Sequence, residues 1–96
     1  MTDQMKIIEE NQVEISDLIE VKSAEYLGEY FIQIVFKDGF HRVVDFKSFL
    51  ETAGHPSIQK YLDTRMFQEF KIIEGNLNWN DYDLIFPVYD LYRGQI

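Results

Sequence analysis

His41 and His55 are the only imidazoles in the chain and cysteine is absent, so a metal site would have to complete its ligand set with carboxylates. His41 lies in a β-branched stretch and His55 directly precedes Pro56. The plainer reading of the two is a solvated histidine on a strand and a histidine in a loop. Asp45 is of a type that serves as general base, but it stands where a strand should give way to a helix. There its carboxylate is expected to cap the amide of Lys47 or Ser48, a role worth ~1 kcal/mol. Asp81 and Asp83, beside Trp79 and Tyr82, have the spacing of a carboxylate pair with one raised pKa, as hydrolytic sites require. Loop acids at the start of a helix explain that pair more simply.

Other chemistry is less supported still. Gly28, Gly39, Gly54, Gly75 and Gly94 are isolated from one another, so they form no phosphate cradle, and each suits a turn or a helix end. Ser16, Ser23, Ser48 and Ser57 lack a nucleophile-elbow motif and an arrangement of histidine that would activate a hydroxyl. The expectation is therefore a non-enzymatic domain without cofactor or metal.

The chain does carry residues suited to protein contacts. Trp79, Tyr82, Phe86, Tyr89 and Tyr92 cluster near its end, and Trp and Tyr dominate binding hot spots because they join a large apolar area to a polar tip. Trp79, Phe86 and Leu91 are expected in the core, leaving Tyr82 and Tyr89, with Tyr92, as candidates for a partner. Formal net charge is −8, and residues 1–20 set Asp3, Glu9, Glu10, Glu14, Asp17 and Glu20 against Lys6 alone. A field of that sign repels phosphate backbones and anionic lipid, so direct nucleic-acid or membrane binding is not expected. A basic protein partner is, with Glu9, Glu10 and Glu14 as the acidic contacts.

The elements that must position these groups follow from pattern. The 96 residues are 46% apolar and include eight Phe, six Tyr and one Trp, enough for one core built from rings. Residues 1–18 mix Ile7, Ile8, Val13, Ile15 and Leu18 with acids without clean periodicity, and are read as a partly ordered lead-in to a single domain over 19–96. A first strand is expected at about 19–27, a tight turn at Gly28-Glu29, and a second strand over 30–36 with Tyr30, Ile32, Ile34 and Phe36 on one face. Asp38-Gly39 has the composition of a type I′ turn, leading to a third strand at about 40–45 and an antiparallel meander.

Short helices are expected at about 46–52, with Phe46, Phe49 and Leu50 as its buried stripe and Gly54 as its stop, and at about 57–68, capped by Ser57 and Asp63. A second hairpin over about 70–74 and 77–79, turning at Gly75-Asn76, should close the sheet. A C-terminal helix at about 87–93 takes Pro87 in its first turn. The fold class is α+β. The opening Met1-Thr2-Asp3-Gln4-Met5-Lys6 is not a secretory start, and no stretch approaches the ~18 apolar residues of a membrane span, so a cytoplasmic protein is expected.

With that order of elements, the chain resembles the DUF2442 family of small, uncharacterised bacterial domains over roughly Ile19 to Tyr92. The resemblance rests on Phe36, Asp38-Gly39, Val44-Asp45, Phe49-Leu50, Phe67, Gly75, Trp79, Asp83, Pro87 and Leu91-Tyr92. The family's usual ending runs Trp, a glycine-containing loop, Asp, then Pro and Leu-Tyr, whereas Asn80-Asp81-Tyr82 holds no glycine. What the resemblance implies is a compact α+β fold of unknown role, found alone or beside a helix-turn-helix DNA-binding domain. An interaction or regulatory module, with a DNA-binding regulator or a neutralised toxin as context, is the leading expectation. The alternative is a small-ligand or metal site near His41 and Asp45 or near Asp81 and Asp83.

Overall fold

The computed structural model describes residues 19–96, which form an α+β fold of two three-stranded antiparallel sheets and short helices. The first sheet is a meander of β1 (Val21–Gly28), β2 (Phe31–Phe36) and β3 (His41–Asp45). Helix α1 (Lys47–Thr52) follows, then α2 (Pro56–Gln59), a 3₁₀ turn (Lys60–Leu62) and α3 (Thr64–Phe67). The second sheet is β4 (Phe70–Ile73), β5 (Asn76–Trp79) and β6 (Leu84–Ile85), and α4 (Val88–Arg93) ends the fold.

Strand alternation fills the core. Ile32, Ile34 and Phe36 of β2 are fully buried, joined by Val21 and Val44 from its neighbours. Phe46, Leu50, Tyr61 and Phe67 from the helical stretch and Leu77, Trp79, Leu84, Phe86 and Leu91 from the second half complete one cluster. Trp79 is its centre: its ring lies 5.4 Å from Phe67, 5.8 Å from Phe46 and 5.9 Å from both Phe70 and Phe86. Such pairs add about 0.5–1.5 kcal/mol each beyond area burial. The indole N–H, which could not be left unpaired there, donates to the Phe67 carbonyl at 2.7 Å.

Several expectations need correction. The second hairpin does not extend the first sheet; it recruits β6 to make a separate one. Among the described residues, the backbones of the two sheets are joined by one hydrogen bond, from the Val21 N–H to the Gly75 carbonyl at 2.9 Å. The type I′ geometry also sits elsewhere. At Asp38-Gly39 positive φ is confined to Gly39 (+92°), and Gly39 N–H donates to the Phe36 carbonyl, giving a three-residue loop of type I turn plus glycine bulge. The two-residue turn with both φ values positive is Glu29-Tyr30 (52° and 70°), one position later than Gly28-Glu29, with Gly28 paired to Phe31. Tyr30 therefore leaves the inner face of β2 for the turn. In the second hairpin the turn is Glu74-Gly75 (52° and 81°), since Asn76 already pairs with Ile73.

The helix expected over 57–68 is broken by Asp63, whose backbone is extended (ψ 114°) so that its Oδ1 can accept the Arg65 amide at 2.9 Å. Ser57 is not the cap of α2. His55 is, its Nδ1 accepting the Ser57 amide at 3.2 Å with Pro56 in the first turn. Pro87 likewise precedes α4 as its N-cap residue, and Gly94 closes it in the left-handed conformation at φ 72°. No helix among the described residues is long and apolar enough to cross a membrane.

Candidate functional site

Two surfaces gather the residues with most to offer a ligand or partner. The first is a cleft of about 640 Å³ beside β4, to which buried Tyr61 and half-buried Met66 and Phe70 give an apolar part and Glu69, Lys71, Asn80 and Asp81 a polar one. Its shape depends on the loop that lacks a glycine. Asn80, Asp81 and Tyr82 all have positive φ (51°, 57° and 70°), a conformation that costs side-chain-bearing residues free energy unless neighbours enforce it. Asn78, the one fully buried polar side chain described, supplies that enforcement. Its Oδ1 accepts the Tyr82 amide at 3.3 Å, and its Nδ2 donates to the carbonyls of Asn76 and Lys71 at 3.3 and 3.4 Å.

Asp83 anchors the other end of this loop. Its Oδ2 lies 2.7 Å from Lys60 Nζ and accepts the Tyr61 hydroxyl at 2.8 Å. The hydrogen bond from Lys60, then that from Tyr61, holds the Asp83 carboxyl below its usual 3.8. Burial, with Asp83 and Glu69 adding negative charge, pushes the Tyr61 phenol up to about 12. Asp81 and Asp83 thus have different surroundings: Asp83 is bound to Lys60 and Tyr61, and Asp81 lines the cleft.

The second surface is the outer face of the first sheet. The alternation that buries Ile32, Ile34 and Phe36 turns Phe31, Gln33 and Val35 outward, with Glu25, His41, Val43 and Asp45 as their cross-strand partners. Leu27, Phe31 and Val43 expose 49%, 37% and 51% of their surface, so the open end of this face is apolar. Glu25, Glu29 and Asp45, all exposed, flank it. Val35 with Ser23, Ala24, Glu25 and Gln33 lines a depression of about 380 Å³ further along. Sequence reasoning missed Leu27, Phe31 and Val43. The signal was present, because Phe31–Phe36 is apolar at five of six positions, more than a strand with one wet face needs.

The residues singled out from sequence distribute as follows. His41 and Asp45 share the outer face of β3 but stand four residues apart, about 13 Å along a strand, and do not converge. Asp45 Oδ1 accepts the Lys47 amide at 2.9 Å, although Phe46 is the N-cap residue of α1 by backbone conformation. Among the described residues no group of three or more His, Asp or Glu side chains is placed to hold a metal ion. Tyr82 and Tyr89 are exposed, with the Arg93 guanidinium 5.1 Å from the Tyr89 ring centre. Tyr92 is half-buried, 4.9 Å from Phe36 and 4.8 Å from Phe40. Glu9, Glu10 and Glu14 lie outside the described residues. Asp38 Oδ1 accepts the Phe40 amide at 2.9 Å, and Gly54, at φ 70°, follows α1.

Two three-stranded antiparallel sheets with short helices between and after them define an α+β domain. Within that class, the family described as "Protein of unknown function (DUF2442)" matches residues 21–96, and the chain belongs to it. No curated protein and no solved structure matches the chain.

Proposed function

We propose that this domain is a protein-interaction module whose docking surface is the outer face of the first sheet, and that its partner presents an apolar centre ringed by lysine or arginine. The observation that carries this is the grouping of Leu27, Phe31 and Val43 between Glu25, Glu29 and Asp45. Three large apolar side chains gathered on one sheet face favour burial against another surface. The flanking carboxylates select a basic one, and the net charge of −8 steers it in. Tyr92, by contrast, spends its hydroxyl within the fold, which makes the C-terminal aromatics the weaker surface.

Replacing Phe31 by a photo-crosslinking phenylalanine analogue tests this in cells of the native host. Crosslinks to one basic protein, lost in a Glu25→Lys, Glu29→Lys background, are expected. The same analogue placed at Gln68 is the control, and equal labelling from both positions would end the proposal. The cleft beside Asp81 supports a second reading, a small-ligand site. A ligand at ~100 times its dissociation constant adds ~2.7 kcal/mol of apparent stability. Melting across a metabolite panel therefore checks it, and a flat response counts against it.

A further inference from the structure

We infer that a second copy of this chain docks on the free edge of β3, pairing β3 with β3 antiparallel about a two-fold axis at Val43. The inference rests on the ladder's parity and on which residues that parity sends outward. In the sheet order β1-β2-β3, β3 is a terminal strand. Two bonds bracket its pairing with β2: Phe36 N–H to the Phe40 carbonyl and Phe46 N–H to the Tyr30 carbonyl, each 2.9 Å. Both fall on even-numbered residues of the β3 side. By the two-residue period of an antiparallel ladder, Arg42 and Val44 bond to β2, while His41, Val43 and Asp45 aim their N–H and C=O groups away from it.

Those same three residues are exposed, and among the described residues no backbone hydrogen bond outside the sheet uses their N–H or C=O groups, although the last helix packs beside β3 through the bond from Arg42 to the Tyr92 carbonyl. Edge strands are blunted by charged side chains, proline, a bulge or a covering element. His41-Arg42-Val43-Val44-Asp45 carries two charged residues, Arg42 and Asp45, but no proline or bulge, and its register with β2 runs unbroken from Phe31↔Asp45 to Val35↔His41.

The sequence of the edge then selects the occupant. Antiparallel pairing of β3 with itself uses all three outward residues in one register only, the one that sets Val43 opposite Val43. That register places His41 opposite Asp45 of the second copy, and by symmetry Asp45 opposite its His41. An apolar contact on the axis is thus flanked by two imidazole–carboxylate pairs able to hydrogen-bond across the strands, the self-complementarity an isologous interface requires. A one-step slip in either direction leaves an outward residue of each copy unpaired and sets Val43 against a polar side chain, His41 or Asp45. The result is a six-stranded sheet in which two outer faces lie side by side. Formal charges of −8 oppose each other in it, so added salt that screens the whole-molecule field should favour the dimer.

Sedimentation of the full chain from micromolar to millimolar concentration should show a monomer–dimer equilibrium. Val43→Lys, at an exposed position, should abolish it with an unchanged circular dichroism spectrum. His41→Asp, which sets two carboxylates face to face in each flanking pair, should weaken dimerisation at least about tenfold, and adding Asp45→Lys to it should restore most of that loss. His55→Asp makes the same charge change away from the edge and should leave the equilibrium alone. A monomer at every concentration, or a dimer indifferent to Val43→Lys and His41→Asp, would overturn the inference. Phe31→Ser keeps the two readings separate, because it removes the proposed partner contact and leaves the β3 edge intact.

Discussion

The Tyr92 hydroxyl donates to Oδ2 of Asp38 at 2.7 Å, joining the last helix to the turn of the first hairpin across 54 positions of sequence. Arg42 reinforces the junction, its Nε donating to the Tyr92 carbonyl at 2.7 Å and its guanidinium lying 5.1 Å from the Phe40 ring centre. The hydrogen bond from Tyr92 holds the Asp38 carboxyl below its usual 3.8, and the same bond raises the Tyr92 phenol above 10.0. A carboxylate whose pKa is lowered by folding stabilises the fold above its unfolded pKa, and that contribution is lost as pH falls through the folded value. A phenol whose pKa is raised contributes below its unfolded pKa and loses the contribution as pH rises through the folded one. Tyr92→Phe should therefore melt below the wild type at neutral pH, and the gap should narrow as pH falls from 3.8 through the folded value of Asp38. Thermal melts followed by circular dichroism across the acid range check this, and a gap independent of pH would refute it.

Glu29 and Tyr30 both occupy the left-handed region, but for different reasons. Glu29 is exposed and gains nothing from its side chain there. Tyr30 packs 5.5 Å from Phe67 and donates its hydroxyl to the Leu62 carbonyl, so its strain is offset by contacts. Glu29→Asn should stabilise the protein by ~0.5–1 kcal/mol, because asparagine tolerates positive φ. Tyr30→Gly should cost about 2 kcal/mol despite relieving the backbone. Urea midpoints for the two variants should move in opposite directions.

That contrast also explains how much was legible in the sequence. The inner face of β2, the buried stripe of α1 and the stop at Gly94 follow from local period and from residues with one strong preference. Asp-Gly suggested a type I′ turn at residues 38–39, yet the turn became a bulged loop, while Glu-Tyr, with no such preference, took the primed geometry. Tertiary contacts decided it: Phe67 and the Leu62 carbonyl hold Tyr30, and Tyr92 holds Asp38. The same holds for the cleft loop, where Asn78 does from the core what a local glycine would otherwise do. The outer-face group of Leu27, Phe31 and Val43 was obscured because apolar residues on both sides of a strand read equally well as a central, doubly covered one.

Gly75 and Gly39 provide a paired test of close packing. Both have positive φ, +81° and +92°, so a side chain is strained at either. At Gly39 an added Cβ meets nothing within 4 Å, whereas at Gly75 it would lie 2.7 Å from Glu20 Cβ. The Gly75 carbonyl also accepts the Val21 amide, so this contact sits where the two sheets meet. Gly39→Ala should cost ~1 kcal/mol through its backbone alone, and Gly75→Ala about 2–3 kcal/mol. Equal losses in chemical denaturation would show that the approach of Glu20 is not constraining.

Asp83 and Tyr61 allow the electrostatics of the cleft to be measured directly. The Tyr61 phenol is pushed up to about 12, first by burial and then by the hydrogen bond and charge of Asp83, with Glu69 beyond them. Asp83→Asn removes the charge and leaves the burial. The Tyr61 titration should therefore move down from about 12 but stay above the ordinary 10.0. The neutral phenol stabilises the fold below its unfolded pKa, and the contribution disappears as pH rises through the folded value. Alkaline unfolding of Asp83→Asn should accordingly begin at lower pH than in the wild type. Ultraviolet difference spectra of tyrosinate formation, compared with those of a Tyr61→Phe control to assign the late-titrating group, report both quantities. An unchanged titration would mean that Asp83 does not face Tyr61 in solution, and the anchor of the Asn80–Tyr82 loop would have to be sought elsewhere.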